Sequence, residues 1–488
     1  GIDAIWLSPI YLSPDADFGY DVSDYIAIDP RYGSLADFDH LVSEAHKRKI
    51  NIILDLVLNH TSDQHKWFIE SRKSVDNLYH NWYLWRDPSP KGGKPNNWQA
   101  VFGGSGWEYD EHLMQYYYHM FYKEQPDLNW RNPEVRNAML DDYRFWLDRG
   151  VDGFRMDVFN MYFKHPDLAD NPSKFWGRRA FERQIHINDM SQPEMLPLLK
   201  EIRELLDSYG ATYMVGETFL STPKQAAAYI GPDRLHAAFD FELVNSQFSA
   251  KAFKNAIQNW NKALNGKWPN NFLNNHDSRR TATRYRADEE DAILKVSAAM
   301  LLTLKGTPFL YYGEEIGMRD INLKRSQILD RIGKRYWPFN KGRDGCRSPM
   351  QWDATQNAGF SAVPPWLPLH PNYQTRNVLN QSSNPASLLN FYKHLLKLRK
   401  THSALRQGDI KHLDLQNQNV LSYTRSTPDE EILVCLNLSS KPSKVMLPND
   451  LKNKHWRVLM TQSTDMESAH FKDAFFLAPY ETLLFIDN

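Results

Sequence analysis

Five stretches of this chain read as strands that run straight into polar, chemically capable residues, and that recurrence restricts the fold more than any other feature. The clearest is Gly150-Val-Asp-Gly-Phe-Arg-Met-Asp-Val158, an apolar run that reaches Arg155 and, two residues on, Asp157. Residues two apart on a strand share a face, so both side chains leave its C-terminal end in one direction. Ile52 to Asn59 leads into His60, Tyr213 to Gly216 into Glu217, and Phe272 to Asn275 into His276 and Asp277, while Ala4 to Leu7 is followed by Asp17 and Tyr20. In a parallel α/β barrel the C-terminal strand ends form the reactive mouth. One such ending reads equally well as a structural ion pair; five of them read as a site.

Helical patterns alternate with these strands. Ser34 can cap a helix with Leu35, Phe38, Leu41, Val42 and Ala45 on one face, and Asn132-Pro133 can open another along Val135, Met139, Tyr143 and Trp146, stopped at Gly150. Phe239 to Phe241, Asn271 to Asn275 and Pro308 to Tyr312 read as further strands, and Met195 to Tyr209 and Ser387 to Arg399 as further helices. Repeated strand and helix in this order predicts an α/β fold with a parallel sheet. The rhythm breaks over 61–130, which is rich in Trp, Tyr, Gly and Pro and too long for a plain loop. Beyond Gln407 it gives way to short strands at Val420–Arg425, Ile432–Leu438, Trp456–Met460 and Thr482–Ile486, a separate β-sandwich.

At 488 residues the chain exceeds what one core supports. A net charge of -1 gives no basic stripe for nucleic acid, and no apolar run reaches the roughly 20 residues of a membrane span. Two cysteines, Cys346 and Cys435, cannot build a disulfide framework and fit a reducing, cytoplasmic setting. His60 and His276 lack the neighbours of a metal motif, so no metal is assigned to them.

Asp55-Leu-Val-Leu-Asn-His60, Gly153-Phe-Arg-Met-Asp157, Gly216-Glu217-Thr218 and Asn274-Asn-His-Asp277, in this order, closely resemble the motifs of the α-amylase family of glycoside hydrolases. Gln125-Pro-Asp-Leu-Asn129 resembles its α-glucosidase and oligo-1,6-glucosidase branch. The resemblance implies a (β/α)8 TIM barrel over 1–60 and 131–405, a lid inserted after the third strand over 61–130, and a C-terminal antiparallel β-sandwich over 406–488. Against that pattern the sequence opens at the second barrel strand, so the first strand is expected to be absent from it, and restoring that segment is expected to stabilise the fold.

By the same resemblance Asp157 is the nucleophile, kept ionised by Arg155, Glu217 the acid and then base, a role that needs a raised pKa, and Asp277 the third carboxylate, gripping sugar hydroxyls. His60 and His276 match positions that meet hydroxyls of the bound glucose. Asp17 and Arg347 match residues that clamp a terminal glucose, and Tyr20 one that stacks on it. Phe102 and Phe121 are candidates for the pocket wall or for ordinary core. Val158 goes with α-1,6 bonds in the resembled enzymes, whereas Gly342-Arg-Asp-Gly-Cys-Arg347 and the run from Arg183 to Glu194 are similar to maltose-cleaving relatives. The expectation is a retaining exo-α-glucosidase that favours α-1,6 linkages in short oligosaccharides, against α-1,4 preference, transglucosylation, or a non-catalytic transporter-associated role. No cofactor is expected; a structural Ca or Mg in this branch sits in a loop that the sequence does not contain. The small oligosaccharide is the one expected partner, for a monomer or a dimer.

Overall fold

The computed structural model describes residues 1–487 apart from 211, 288–290, 416, 453 and 462–473. Residues 2–239 form one compact unit, and Gly1 with 240–488 the other.

The first unit is built on a parallel sheet ordered β1 (Ala4–Leu7), β4 (Asn51–Leu56), β8 (Gly153–Met156), β9 (Tyr213–Gly216) and β10 (Ala237–Ala238). Between β1 and β4 the chain makes an antiparallel pair, β2 (Tyr11–Leu12) with β3 (Asp24–Ile28), whose connecting loop carries Asp17 and Tyr20. Helix α1 (Leu35–Lys47) starts at Ser34, whose side chain and that of Asp37 cap each other's backbone. Phe38, Val42 and Ala45 are buried, but Leu41, expected on the same face, is 41% exposed. Over 61–130 a small antiparallel sheet forms in the order β5 (Trp85–Arg86), β7 (Gln115–Tyr118) and β6 (Trp107–Asp110), its aromatic side chains packed on one another. Helix α2 (Pro133–Asp148) opens with proline at its first position, where no amide donor is needed, and buries Val135, Met139, Tyr143 and Trp146. Full burial of such side chains stabilises by about 1.5–3 kcal/mol each. Helix α3 (Met195–Asp207) then leads to β9.

One strand lies elsewhere than expected. The sixth is Ala237–Ala238, and Phe239 to Phe241 instead leads into a helical turn, Glu242–Asn245. The apolar Phe-Asp-Phe alternation suggested a strand, but Asp240 is buried there with its carboxyl pushed up to about 7 by that burial.

In the second unit, β11 (Asn270–Phe272) pairs in parallel with β12 (Thr307–Phe309), both ending earlier than the sequence suggested. Helices α4 (Ala250–Leu264), α5 (Ala292–Thr303), α6 (Leu388–Thr401) and α7 (Ser403–Gln407) share a core with one face of the sheet β13 (Asp409–His412), β14 (Val420–Thr427), β15 (Glu430–Asn437), β19 (Thr482–Asp487) and β17 (Trp456–Thr461). On β15, Ile432, Val434 and Leu436 face those helices, while Leu433 and Cys435 face a second core that includes the pair β16 (Ser443–Met446) and β18 (Ala474–Leu477). A strand buried on both faces reads as a continuous apolar run, as Ile432 to Leu436 does. Among the described residues no helix is long and apolar enough to cross a membrane.

Candidate active site

Strand register assembles the centre of the first unit. Asp55 on β4 and Val215 on β9 both lie level with Arg155 on β8. Side chains repeat every second residue, so Asp55, Arg155, Asp157 and Glu217 gather on one face at the strand ends. The ladder carries on past the strands: the Asp157 N–H donates to the Leu56 carbonyl at 3.0 Å and the Glu217 N–H to the Met156 carbonyl at 2.9 Å. Gly216 is required just before the acid, because a Cβ there would lie 2.4 Å from the ring of Phe159.

Arg155 is 1% exposed and touches three carboxylates. Its Nη1 donates to Asp157 Oδ1 at 2.6 Å and to Asp55 Oδ1 at 2.8 Å, and its Nη2 donates to Glu217 Oε2. Its guanidinium also stands over the ring of Trp6, 5.1 Å from the centroid. Burial works against the charge of this guanidinium, yet Asp55, Glu217 and Asp157 hold its pKa above the ordinary value. Asp55 is pushed up to about 7, chiefly by burial, with Arg155 pulling the other way and the nearby Asp157 adding to the rise. Asp55 Oδ2 accepts from the Tyr20 hydroxyl at 2.9 Å.

Val158 follows Asp157 with φ 34° and ψ 39° and is buried. A left-handed conformation is an outlier for a β-branched residue and marks stored backbone strain of order 1–3 kcal/mol. The turn it makes carries the chain from β8 into Phe159–Met161.

Tyr20 sits in a tight loop, after Phe18 at φ 53° and Gly19 at φ 91°. The buried Asp21 carboxylate accepts from the backbone N–H of Asp17 at 2.8 Å and of Ala16 at 2.9 Å. Asp17 Oδ2 in turn accepts from Gln125 at 3.3 Å. His60 is 1% exposed and its Nε2 lies 2.9 Å from the Tyr20 carbonyl, so it supports the Tyr20 loop from behind. Phe121 packs on His60 at 5.2 Å between centroids and Phe102 on Phe121 at 5.5 Å. The structure thus brings Asp17, Tyr20, His60, Phe102 and Phe121 into one connected set.

In the second unit Asp277 is held from one side. Arg347 donates through Nη2 to Asp277 Oδ1 at 2.7 Å and through Nε to the His276 carbonyl at 2.8 Å, and Arg343 Nη1 lies 3.6 Å from the same Oδ1. The Asp277 partner of Arg347 was not foreseen, nor was Arg343. Glu314, fully buried beneath the Asn274 motif, accepts from the backbone N–H of Tyr311 and the hydroxyl of Thr281, each at 3.3 Å. Burial lifts its carboxyl from 4.5 to about 7. Its folded pKa lies above its unfolded one, so its contribution to stability is present below about 4.5 and lost as the pH rises through about 7. A Glu314→Gln variant should therefore gain melting temperature relative to the parent between pH 5.5 and pH 8; parallel Tm curves across that range would refute this.

Sequence reasoning passed over Asp55, Gln125 and Asp127 as functional residues, although all three stand inside quoted motifs. Asp55 carried a usable signal, an acid inside an otherwise apolar strand. Among the described residues no group of three or more His, Cys, Asp or Glu side chains could hold a metal ion.

Known protein families account for most of the chain. Residues 1–408 match the α-amylase catalytic domain, and 410–483 match the C-terminal domain of maltogenic amylase. The chain is 39% identical to an oligo-1,6-glucosidase of Parageobacillus thermoglucosidasius over 99% of its own length and 92% of the relative's. It is 40% identical to a probable α-glucosidase of Rhizobium meliloti, covering 92% and 84% respectively. The crystal structure of an α-glucosyl transfer enzyme superposes with a TM-score of 0.94 at 38% identity, covering 100% of this chain and 92% of the other. The chain belongs to the α-amylase family of glycoside hydrolases. Its fold class is that of the family, a (β/α)8 catalytic domain followed by an antiparallel β-domain.

Proposed function

We propose that this chain is a retaining, exo-acting α-glucosidase that releases glucose from the non-reducing end of short α-gluco-oligosaccharides and prefers α-1,6 bonds. The observation that carries the reading is the single guanidinium of Arg155 shared by Asp55, Asp157 and Glu217. Retention needs two carboxyl groups close together, one to attack the anomeric carbon and one to protonate the leaving oxygen. Asp157 serves as nucleophile, its charge supported by Arg155. Glu217 gives its proton to the departing sugar oxygen and then takes one from the water that releases glucose. Asp17 and Tyr20, set on their tight loop, hold the terminal glucose. For His276, Asp277 and Arg347 the reading rests on their match to the family's motifs. A cytoplasmic setting is supported by Cys346 and Cys435, both unpaired and buried.

Linkage preference rests on Val158, the buried residue of left-handed backbone that follows the nucleophile in the chain. Initial rates on isomaltose and maltose, with the anomer of the released glucose followed by proton NMR, test the whole reading. α-Glucose and an isomaltose preference are expected; β-glucose as first product would sink retention, and a maltose preference would hand the linkage to the loop around Arg347. Replacing Val158→Thr should move the isomaltose-to-maltose ratio of kcat/KM toward maltose by about tenfold, as changing one small group in a pocket does.

Transfer is the second reading, supported by the likeness to the α-glucosyl transfer enzyme. Product analysis at high sugar concentration distinguishes it: oligosaccharides longer than the substrate would accumulate.

A further inference from the structure

Lys164 lies in the loop after the nucleophile, is buried, and has no part in the proposed reaction. Its ammonium donates to Asp127 Oδ2 at 2.5 Å, to Asn59 Oδ1 at 3.0 Å and to the Met161 carbonyl. All three of its donors are used. Its neighbours belong to a strap: the Leu128 N–H donates to the Asn59 carbonyl at 3.0 Å and the Thr61 N–H to the Pro126 carbonyl at 3.2 Å. Gln125-Pro-Asp127 is therefore pinned along Asn59 to Thr61.

These contacts leave Asn59 one orientation. Its Oδ1 faces an ammonium, which can only donate, and its Nδ2 faces Asp127 Oδ2 at 2.9 Å, which can only accept. The other hydrogen of that Nδ2 is directed at His60 Nδ1, 3.2 Å away. Among the described residues Nδ1 has that donor alone beside it, whereas Nε2, though near Gln125, has an acceptor in the Tyr20 carbonyl, so the proton of His60 is placed on Nε2. That N–H donates to the Tyr20 carbonyl at 2.9 Å. Gln125 Nε2, 3.0 Å from the same ring nitrogen, spends its hydrogens on the Tyr20 carbonyl and on Asp17 Oδ2, each at 3.3 Å. In the opposite tautomer His60 would turn a lone pair toward the Tyr20 carbonyl and repel it.

We propose that Lys164 is a positioning residue: through the Asn59 amide it fixes His60 as the Nε2–H tautomer, and so seats Tyr20 for the sugar. The relay does not stop at the loop. The Tyr20 hydroxyl donates to Asp55, which accepts from Arg155, so the orientation of one amide bears on the carboxylate cluster.

The effect on turnover rests on the α-glucosidase reading; the tautomer does not. The test therefore has two arms on the full chain. Nitrogen-15 shifts of the histidine rings, with His60 assigned by its loss in His60→Gln, should show the neutral Nε2–H pattern at pH 7. Asn59→Asp is isosteric and places a carboxylate oxygen against Nδ1, so His60 should take its proton there, as the Nδ1–H form or the imidazolium. Lys164→Met alone would strand a buried carboxylate, so it is paired with Asp127→Asn, which frees the Asn59 amide to turn and should populate the Nδ1–H form. Wherever Nε2 loses its proton, KM for p-nitrophenyl α-glucoside should rise about tenfold, the scale of one lost hydrogen bond, with kcat changing less, whereas an imidazolium in Asn59→Asp keeps the Nε2–H bond to Tyr20 and the parent KM.

A parent spectrum showing Nδ1–H or imidazolium at His60 would overturn the proposal, and so would Asn59→Asp keeping the neutral Nε2–H pattern. A changed tautomer with an unchanged KM would overturn the seating of Tyr20. A parent enzyme with the expected spectrum and no turnover of any α-glucoside would retire the functional reading while upholding the tautomer assignment.

Discussion

Asp157→Asn should lower kcat on isomaltose and maltose roughly 10,000-fold or more while leaving the melting temperature close to that of the parent, because the nucleophile is lost and the shape is kept. On the proposed mechanism an amide cannot form the glucosyl ester, and no neighbouring group would replace it: Asp55 is tied to Arg155 and Tyr20, and Glu217 is assigned the role of acid. The amide can still take up a hydrogen bond from Arg155 Nη1, which is why folding should survive. Steady-state kinetics together with a thermal melt of the purified variant decide the matter. Turnover within tenfold of the parent would remove Asp157 from the chemistry and with it the assignment of the site.

Arg155→Met should do something different. It removes a cation that Asp55, Asp157 and Glu217 share. Stripping a buried charge cluster of its partner costs about 3–5 kcal/mol, more than replacing the whole cluster with apolar groups would. The remaining carboxyls should respond by binding protons, since burial already pushes Asp55 up to about 7 with the guanidinium in place. Both stability and activity should therefore fall, and the residual rate should be greatest at a higher pH than in the parent. Urea denaturation and a pH-rate profile read the two effects separately. A variant as stable and as fast as the parent would show that the guanidinium does not hold the site together.

Both expectations concern a cluster of which the sequence displayed only part. Arg155 and Asp157 were legible together because two residues on one strand share a face whatever the rest of the chain does. The caps at Ser34 and Asn132 were legible for the same local reason, and the helices start where they predict. Asp55 was not singled out, because its place beside Arg155 comes from the register between β4 and β8, which are about a hundred residues apart in the chain. Leu41 shows the limit of pattern at the helix surface: it fits the period and lies at the edge of the buried stripe.

Local chemistry alone therefore determined the residue types and their spacing: carboxylates and one arginine at strand ends, the order of the motifs, and the alternation of strand with helix. Tertiary structure decided which of those groups meet. The union of three carboxylates on one guanidinium, the hold of Arg347 on Asp277, and the path from Lys164 through Asn59 to His60 each join residues at least 60 positions apart. Such pairings depend on which backbone surfaces the buried core brings together. Sequence periodicity reports which side of an element is buried; it carries no record of what that side will face.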